Sequence, residues 1–79
     1  MIRVLFFGPV AERVQMRETN IEFGAGMTLQ QVIDQLSAKH PKAFDIVSFI
    51  AINQQQVHDR QMALHDNDEI AFMAKFSGG

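Results

Sequence analysis

The 79 residues are 47% hydrophobic and 20% charged, a composition that suits one globular domain and argues against disorder. Seven basic against nine acidic residues give a net charge of −2, with no basic patch to hold nucleic acid, and the apolar runs fall far short of the ~18–20 residues of a membrane span. There are no cysteines, which excludes disulfides, thiolate metal ligands and a cysteine nucleophile together. The opening Met1-Ile2-Arg3-Val4-Leu5 lacks the pattern of a signal peptide. The expectation is one cytoplasmic domain over 1–79, too small for an elaborate active site and acting with a partner.

Residues 2–7 read as the first strand, closed by Gly8-Pro9. Both of its faces are apolar, with Ile2, Val4 and Phe6 on one and Leu5 and Phe7 on the other. Pro9 suits the first turn of a helix, and Val10 and Val14 at i,i+4 spacing predict a short one over 10–14. Residues 19–23 alternate again, and Gly24-Ala25-Gly26 ends them. Thr28 reads as an N-cap, and Gln31, three residues on, completes a capping box. Leu29, Val32, Ile33 and Leu36 then form one apolar stripe of an amphipathic helix, with Lys39 and His40 at its negative end and Pro41 to stop it. Residues 42–48 read as a loop or a short helix. Residues 49–53 predict a strand with Ile50 and Ile52 on one face, Gln54-Gln55-Gln56 a polar turn, and Val57 a short return strand. Asp66-Asn67-Asp68 predicts a tight turn with Asn67 left-handed. Residues 69–73 read as the last strand, Ile70 and Phe72 inward, before a flexible tail over about 74–79. The expected class is α+β: a mixed sheet covered by one main helix.

Catalytic chemistry finds little support in this chain. His40, His58 and His65 lack metal-ligand spacing, so no metal site is expected. Asp66, Asp68 and Glu69 lack the twelve-residue loop of a calcium site and read as turn-formers. No Ser-His-Asp order is persuasive, and Gly24 and Gly26 lack the further glycine of a phosphate loop.

Two features stand out. If the inward set packs on the helix stripe, alternation turns Leu5, Phe7, Phe49, Ala51, Ala71 and Met73 the other way, where a water-facing sheet should be polar. An apolar patch of that kind marks a protein interface, unless the 9–18 or 41–48 segment covers it as a second small core. The other feature is Gly78-Gly79. Without Cβ atoms, such a tail can thread a narrow channel and bring its carboxylate to another protein's reactive centre. Adenylation makes that carboxylate electrophilic, and sulfur can then replace the adenylate to leave a thiocarboxylate.

Several blocks in order along the chain carry a family resemblance: Val4-Leu5-Phe6-Phe7-Gly8, Ala11-Glu12-Arg13-Val14, the helix from Thr28 to Leu36, Ala51-Ile52-Asn53-Gln54 with Val57, Leu64-x-Asp66-x-Asp68-Glu69-Ile70-Ala71-Phe72 and Ser77-Gly78-Gly79. Together they resemble the small, sulfur-carrying subunit of molybdopterin synthase. The resemblance implies a ubiquitin-like β-grasp fold and a mechanism. An adenylating, E1-like partner activates Gly79 with ATP, a sulfur donor protein converts it to the thiocarboxylate, and the tail, with Gly78 inside the channel, enters the large catalytic subunit. There the sulfur attacks cyclic pyranopterin monophosphate, and two carrier turnovers build the dithiolene. It implies a heterotetramer of two large and two small subunits, with Leu5, Phe7, Ala71, Met73, Phe76 and Ser77 at the partner surface. The chain itself binds no cofactor in this picture and is not catalytic alone. Two departures are visible: Ala74-Lys75 stands where the family often has two prolines, and Asn67 where it usually has glycine. The alternatives are a sulfur carrier for thiamin, cysteine or tRNA thiolation, and a β-grasp interaction module without sulfur chemistry.

Overall fold

Two strands far apart in sequence, β1 (Ile2–Phe6) and β5 (Glu69–Ala74), pair in parallel at the centre of a five-stranded sheet. The structure, a computed structural model, describes residues 1–75. β2 (Glu18–Ile21) runs antiparallel to β1 on one side. On the other, β3 (Val47–Ile52) runs antiparallel to β5, and β4 (Gln55–Val57) returns along β3. The order is β2-β1-β5-β3-β4. α1 (Gly8–Val14), α2 (Leu29–Lys39) and α3 (Pro41–Phe44) form the second layer. This is the ubiquitin-like β-grasp arrangement, a mixed sheet under one dominant helix.

The core is a single cluster. Ile2, Val4 and Phe6 of β1, Ile50 and Ile52 of β3, and Ile70 and Phe72 of β5 face Leu29, Val32, Ile33 and Leu36 of α2. Phe72 is fully buried at its centre, stacked on Phe6 at 6.1 Å and meeting Phe44 edge-on at 4.9 Å. Aromatic pairs of this kind add about 0.5–1.5 kcal/mol each beyond the area they bury. Val10 and Val14 of α1 and Ala43 of α3 join the same cluster. The segments that could have covered the opposite face of the sheet therefore extend the main core instead.

α2 starts as its sequence dictates. The Thr28 Oγ1 accepts from the Gln31 N–H at 3.3 Å, and the Gln31 Oε1 accepts from the Thr28 N–H at 3.0 Å. The next donors are taken by a neighbouring loop: Leu29 N–H reaches Met62 O at 3.1 Å and Gln30 N–H reaches Arg60 O at 2.7 Å. With these orphan donors satisfied inside the chain, the helix start is closed to a phosphate or other anion.

Several boundaries differ from the sequence expectation: β1 ends at Phe6 rather than at residue 7, α1 begins at Gly8 rather than at residue 10, and β3 covers 47–52 rather than 49–53. β2 covers 18–21 rather than 19–23, because Ile21 pairs with Ile2, the first residue of β1, and nothing remains for residues 22 and 23 to pair with. Phe23 packs on the core from outside the ladder. The turn after β3 is Asn53-Gln54, with φ of +52° and +70°, so Gln55 and Gln56 belong to β4. Asn53 holds this turn with its amide, donating to Asp68 Oδ1 at 2.9 Å and accepting from the Glu69 N–H at 3.0 Å. Asp68, the one buried charged residue among those described, also accepts from the His65 N–H at 2.8 Å. Asn67, at φ +73°, adopts the expected left-handed conformation. Finally, β5 runs through Ala74, which is buried, so the chain leaves the sheet one residue later than expected.

The reciprocal cap gives a first test. Thr28→Ala is expected to cost about 1 kcal/mol, the usual loss for an N-cap hydroxyl, and to lower the melting temperature by about 4–8 °C in a domain of this size. Calorimetry of the two proteins reads it directly.

Candidate protein-docking face

The sheet face opposite α2 is divided into two halves. Near the start of β1 it is charged: Arg3 lies opposite Glu69, its Nε donates to Glu18 Oε2 at 3.0 Å, and its Nη1 donates to Glu69 Oε2 at 3.3 Å. The hydrogen bond and charge of Glu18, with the charge of Glu69, raise the Arg3 pKa above its ordinary value. All three groups are at the surface, where ion pairs add little stability. Their effect here is to keep one end of the face charged and polar.

The other half is apolar. Leu5 sits opposite Ala71, Ala71 opposite Ala51, and Met73 opposite Phe49, so the register joins the three central strands into one patch. Phe7 extends it at the corner and is 46% exposed, and Phe49 is 39% exposed. Phe7 makes the last contact of the β1 edge, donating its N–H to Phe72 O at 3.2 Å. Its carbonyl then accepts from Val10 N–H at 3.1 Å and opens α1. Gly8, at φ +52°, takes the left-handed conformation this abrupt change of direction requires, and Pro9 fixes the first helical turn. The turn leaves the Phe7 ring standing at the sheet corner. Beside it a groove of about 740 Å³ runs between α1 and the β1–β2 edge, lined by Leu5, Phe7, Ala11, Gln15 and Met16.

The residues expected at the partner surface divide in the same way. Leu5, Phe7, Ala71 and Met73 share this face. Phe76, Ser77, Gly78 and Gly79 lie outside the described residues. Phe49 and Ala51, which alternation turns outward, complete the patch, although Ala51 is only 8% exposed beneath its neighbours. Met16, 40% exposed, was not legible as part of the site: it follows a left-handed cap at Gln15, where no periodicity predicts its direction. His40 closes α2, donating its N–H to Leu36 O at 2.8 Å. Among the described residues there is no cluster of three or more His, Asp or Glu able to hold a metal ion, and no helix is long and apolar enough to cross a membrane. A bounded, exposed apolar patch of this kind is a feature that commonly marks a protein interface.

Comparison with known proteins gives the lineage. The family model described as "ThiS family" matches residues 4–79. The chain belongs to the ThiS family. A molybdopterin synthase sulfur carrier subunit from Chlamydomonas reinhardtii is 32% identical over 81 residues, covering 99% of this chain and 98% of its own. Among solved structures, SAMP1 from Haloferax volcanii aligns with a TM-score of 0.83 at 20% identity, covering 99% of this chain and 98% of that one. Subunit 1 and 2 of a molybdopterin-converting factor from Helicobacter pylori were solved as a protein–protein complex; the similar chain there has a TM-score of 0.76 at 22% identity, covering 99% of this chain and 97% of that one. At these identities the two structures speak for the fold, and this ThiS-family chain shares it.

Exposure makes a clear contrast within β1 and β5. Phe7→Glu is expected to change the unfolding free energy by no more than about 0.5 kcal/mol, as for other surface substitutions. Phe72→Ala should cost about 3–5 kcal/mol. Parallel denaturant melts measure both, and a collapse of the Phe7 variant would place that ring in the core.

Proposed function

We propose that this chain is the sulfur-carrier subunit of a molybdopterin synthase, with Gly79 as the atom-bearing end. The observation that carries the reading is the position of the apolar patch: it reaches its most exposed corner, at Phe7, Phe49 and Met73, where β5 ends and the chain runs on toward Gly78-Gly79. A docking face beside the point where the chain leaves β5 lets a partner hold the domain while it works on the glycines that follow in the sequence. The name of the Chlamydomonas relative, matched over nearly its whole length, supports this particular pathway.

In this reading an E1-like partner transfers the adenylate of ATP to the Gly79 carboxylate and releases pyrophosphate. A sulfur donor protein then supplies sulfur, AMP leaves, and the thiocarboxylate remains. The large synthase subunit covers the apolar patch and takes the tail into its own active site. There the sulfur attacks cyclic pyranopterin monophosphate, and hydrolysis of the resulting thioester returns Gly79 to a carboxylate. The assembly is a heterotetramer with two carriers flanking two large subunits. The carrier's contribution is positioning and delivery, and the catalytic groups come from its partners.

Intact mass spectrometry tests the chemistry. Incubation with the activating enzyme, ATP and a sulfur source should exchange one oxygen for one sulfur at Gly79, and an unchanged mass sinks the proposal. Gly78→Ala adds one methyl group and should leave the melting temperature unchanged, since it lies beyond the last strand. A displacement of about 1 Å at a reacting centre costs on the order of 100-fold in rate, so single-turnover transfer from this variant should fall by a similar factor. Phe7→Glu should instead weaken docking to the large subunit by about 2 kcal/mol or more, the loss typical of a buried aromatic anchor. Titration calorimetry separates that effect from the tail variant's.

A further inference from the structure

One residue of β3 has no place in the ladder. Val47 pairs with Ala74 and Phe49 with Met73, so the register skips at Ser48. Ser48 is exposed, and its hydroxyl donates only to Ile46 O, two residues away, at 3.4 Å. Val47 packs against the core, Phe49 lies on the outer face, and Ile50 is buried. Without Ser48 the sequence in–out–in alternation of Val47, Phe49 and Ile50 would be unbroken. Burial therefore does not demand the extra residue. A bulge bends its strand and increases the local twist, and this one faces the last two residues of β5, where the chain leaves the sheet.

We infer that the Ser48 bulge is a positioning element: it sets the angle between the docking corner of Phe7, Phe49 and Met73 and the direction in which the chain departs at Lys75. The inference rests on the sulfur-carrier reading for its effect on rate and is independent of it for its effect on geometry. A change in the departure direction at Lys75 alters where the segment leading to Gly79 starts relative to the docked face, and a reacting end is sensitive to a misplacement of about 1 Å. The backbone irregularity carries this role, so the hydroxyl is dispensable.

The test compares deletion of Ser48 with Ser48→Ala. Because the chain has no cysteine, spin labels at Asn20→Cys and Lys75→Cys are unambiguous and report the exit direction from the sheet. Deletion should shift that distance and slow single-turnover sulfur transfer by about 10–100-fold, with docking affinity nearly unchanged. Ser48→Ala should match the parent in all three. An unshifted distance overturns the inference whatever the chain carries, and a shifted distance with full transfer rate overturns it as well. A deletion variant that fails to fold also counts against it, since Ser48 would then serve the sheet itself. If the parent protein never accepts sulfur, the functional reading fails while the label distance still decides the bulge.

Discussion

The parallel pairing of β1 with β5 is the contact on which the rest of this structure depends. It joins segments more than sixty residues apart, so its loop-closure entropy is paid late and must be repaid by burial. Phe72 supplies much of that repayment, with Phe6 stacked beside it on the neighbouring strand and Phe44 closing over it from α3. Parallel direction also means that the two strands end at the same edge. Phe7 and Lys75 therefore emerge at one corner, and the nearness of the apolar patch to the point where the chain leaves β5 follows from strand direction alone.

β5 is apolar on both faces: one belongs to the core of the domain and the other to the apolar patch on the opposite side of the sheet. Ile70, Phe72 and Ala74 are buried against the helices, while Ala71 and Met73 look outward and are only half-covered. The Arg3–Glu18–Glu69 cluster limits the exposed part, leaving a bounded patch rather than an entire hydrophobic face. Asn53 and Asp68 hold the entrance to β5 in register by binding its first N–H and the preceding turn. A slip of one residue would exchange Phe72 for Met73 and destroy both surfaces at once.

Much of this was legible in the amino-acid pattern. The stripe of α2 and its capping box are local features with a fixed period, and the structure keeps both where the spacing puts them. The outward set of Leu5, Phe7, Ala71 and Met73 followed from period-two alternation, which is equally local. The misplaced boundaries depend on longer-range contacts. β2 stops where its partner strand runs out, which no property of Glu22 or Phe23 announces. Asn53 becomes a turn residue because Asp68 and Glu69 are there to bind its amide, fifteen and sixteen residues away. The bulge at Ser48 is a mismatch between two strands, and neither strand alone contains it.

The placement of β5 between β1 and β3 has a mechanical consequence. A pull applied at Lys75 acts along the axis of β5, across the perpendicular hydrogen bonds of its antiparallel neighbour β3 and the slanted ones of its parallel neighbour β1. Such a ladder resists in shear, its bonds sharing the force, whereas an edge strand peeled sideways yields one bond at a time. A load at the end of β5 is thus shared along the whole ladder, and the domain resists being unravelled from that end.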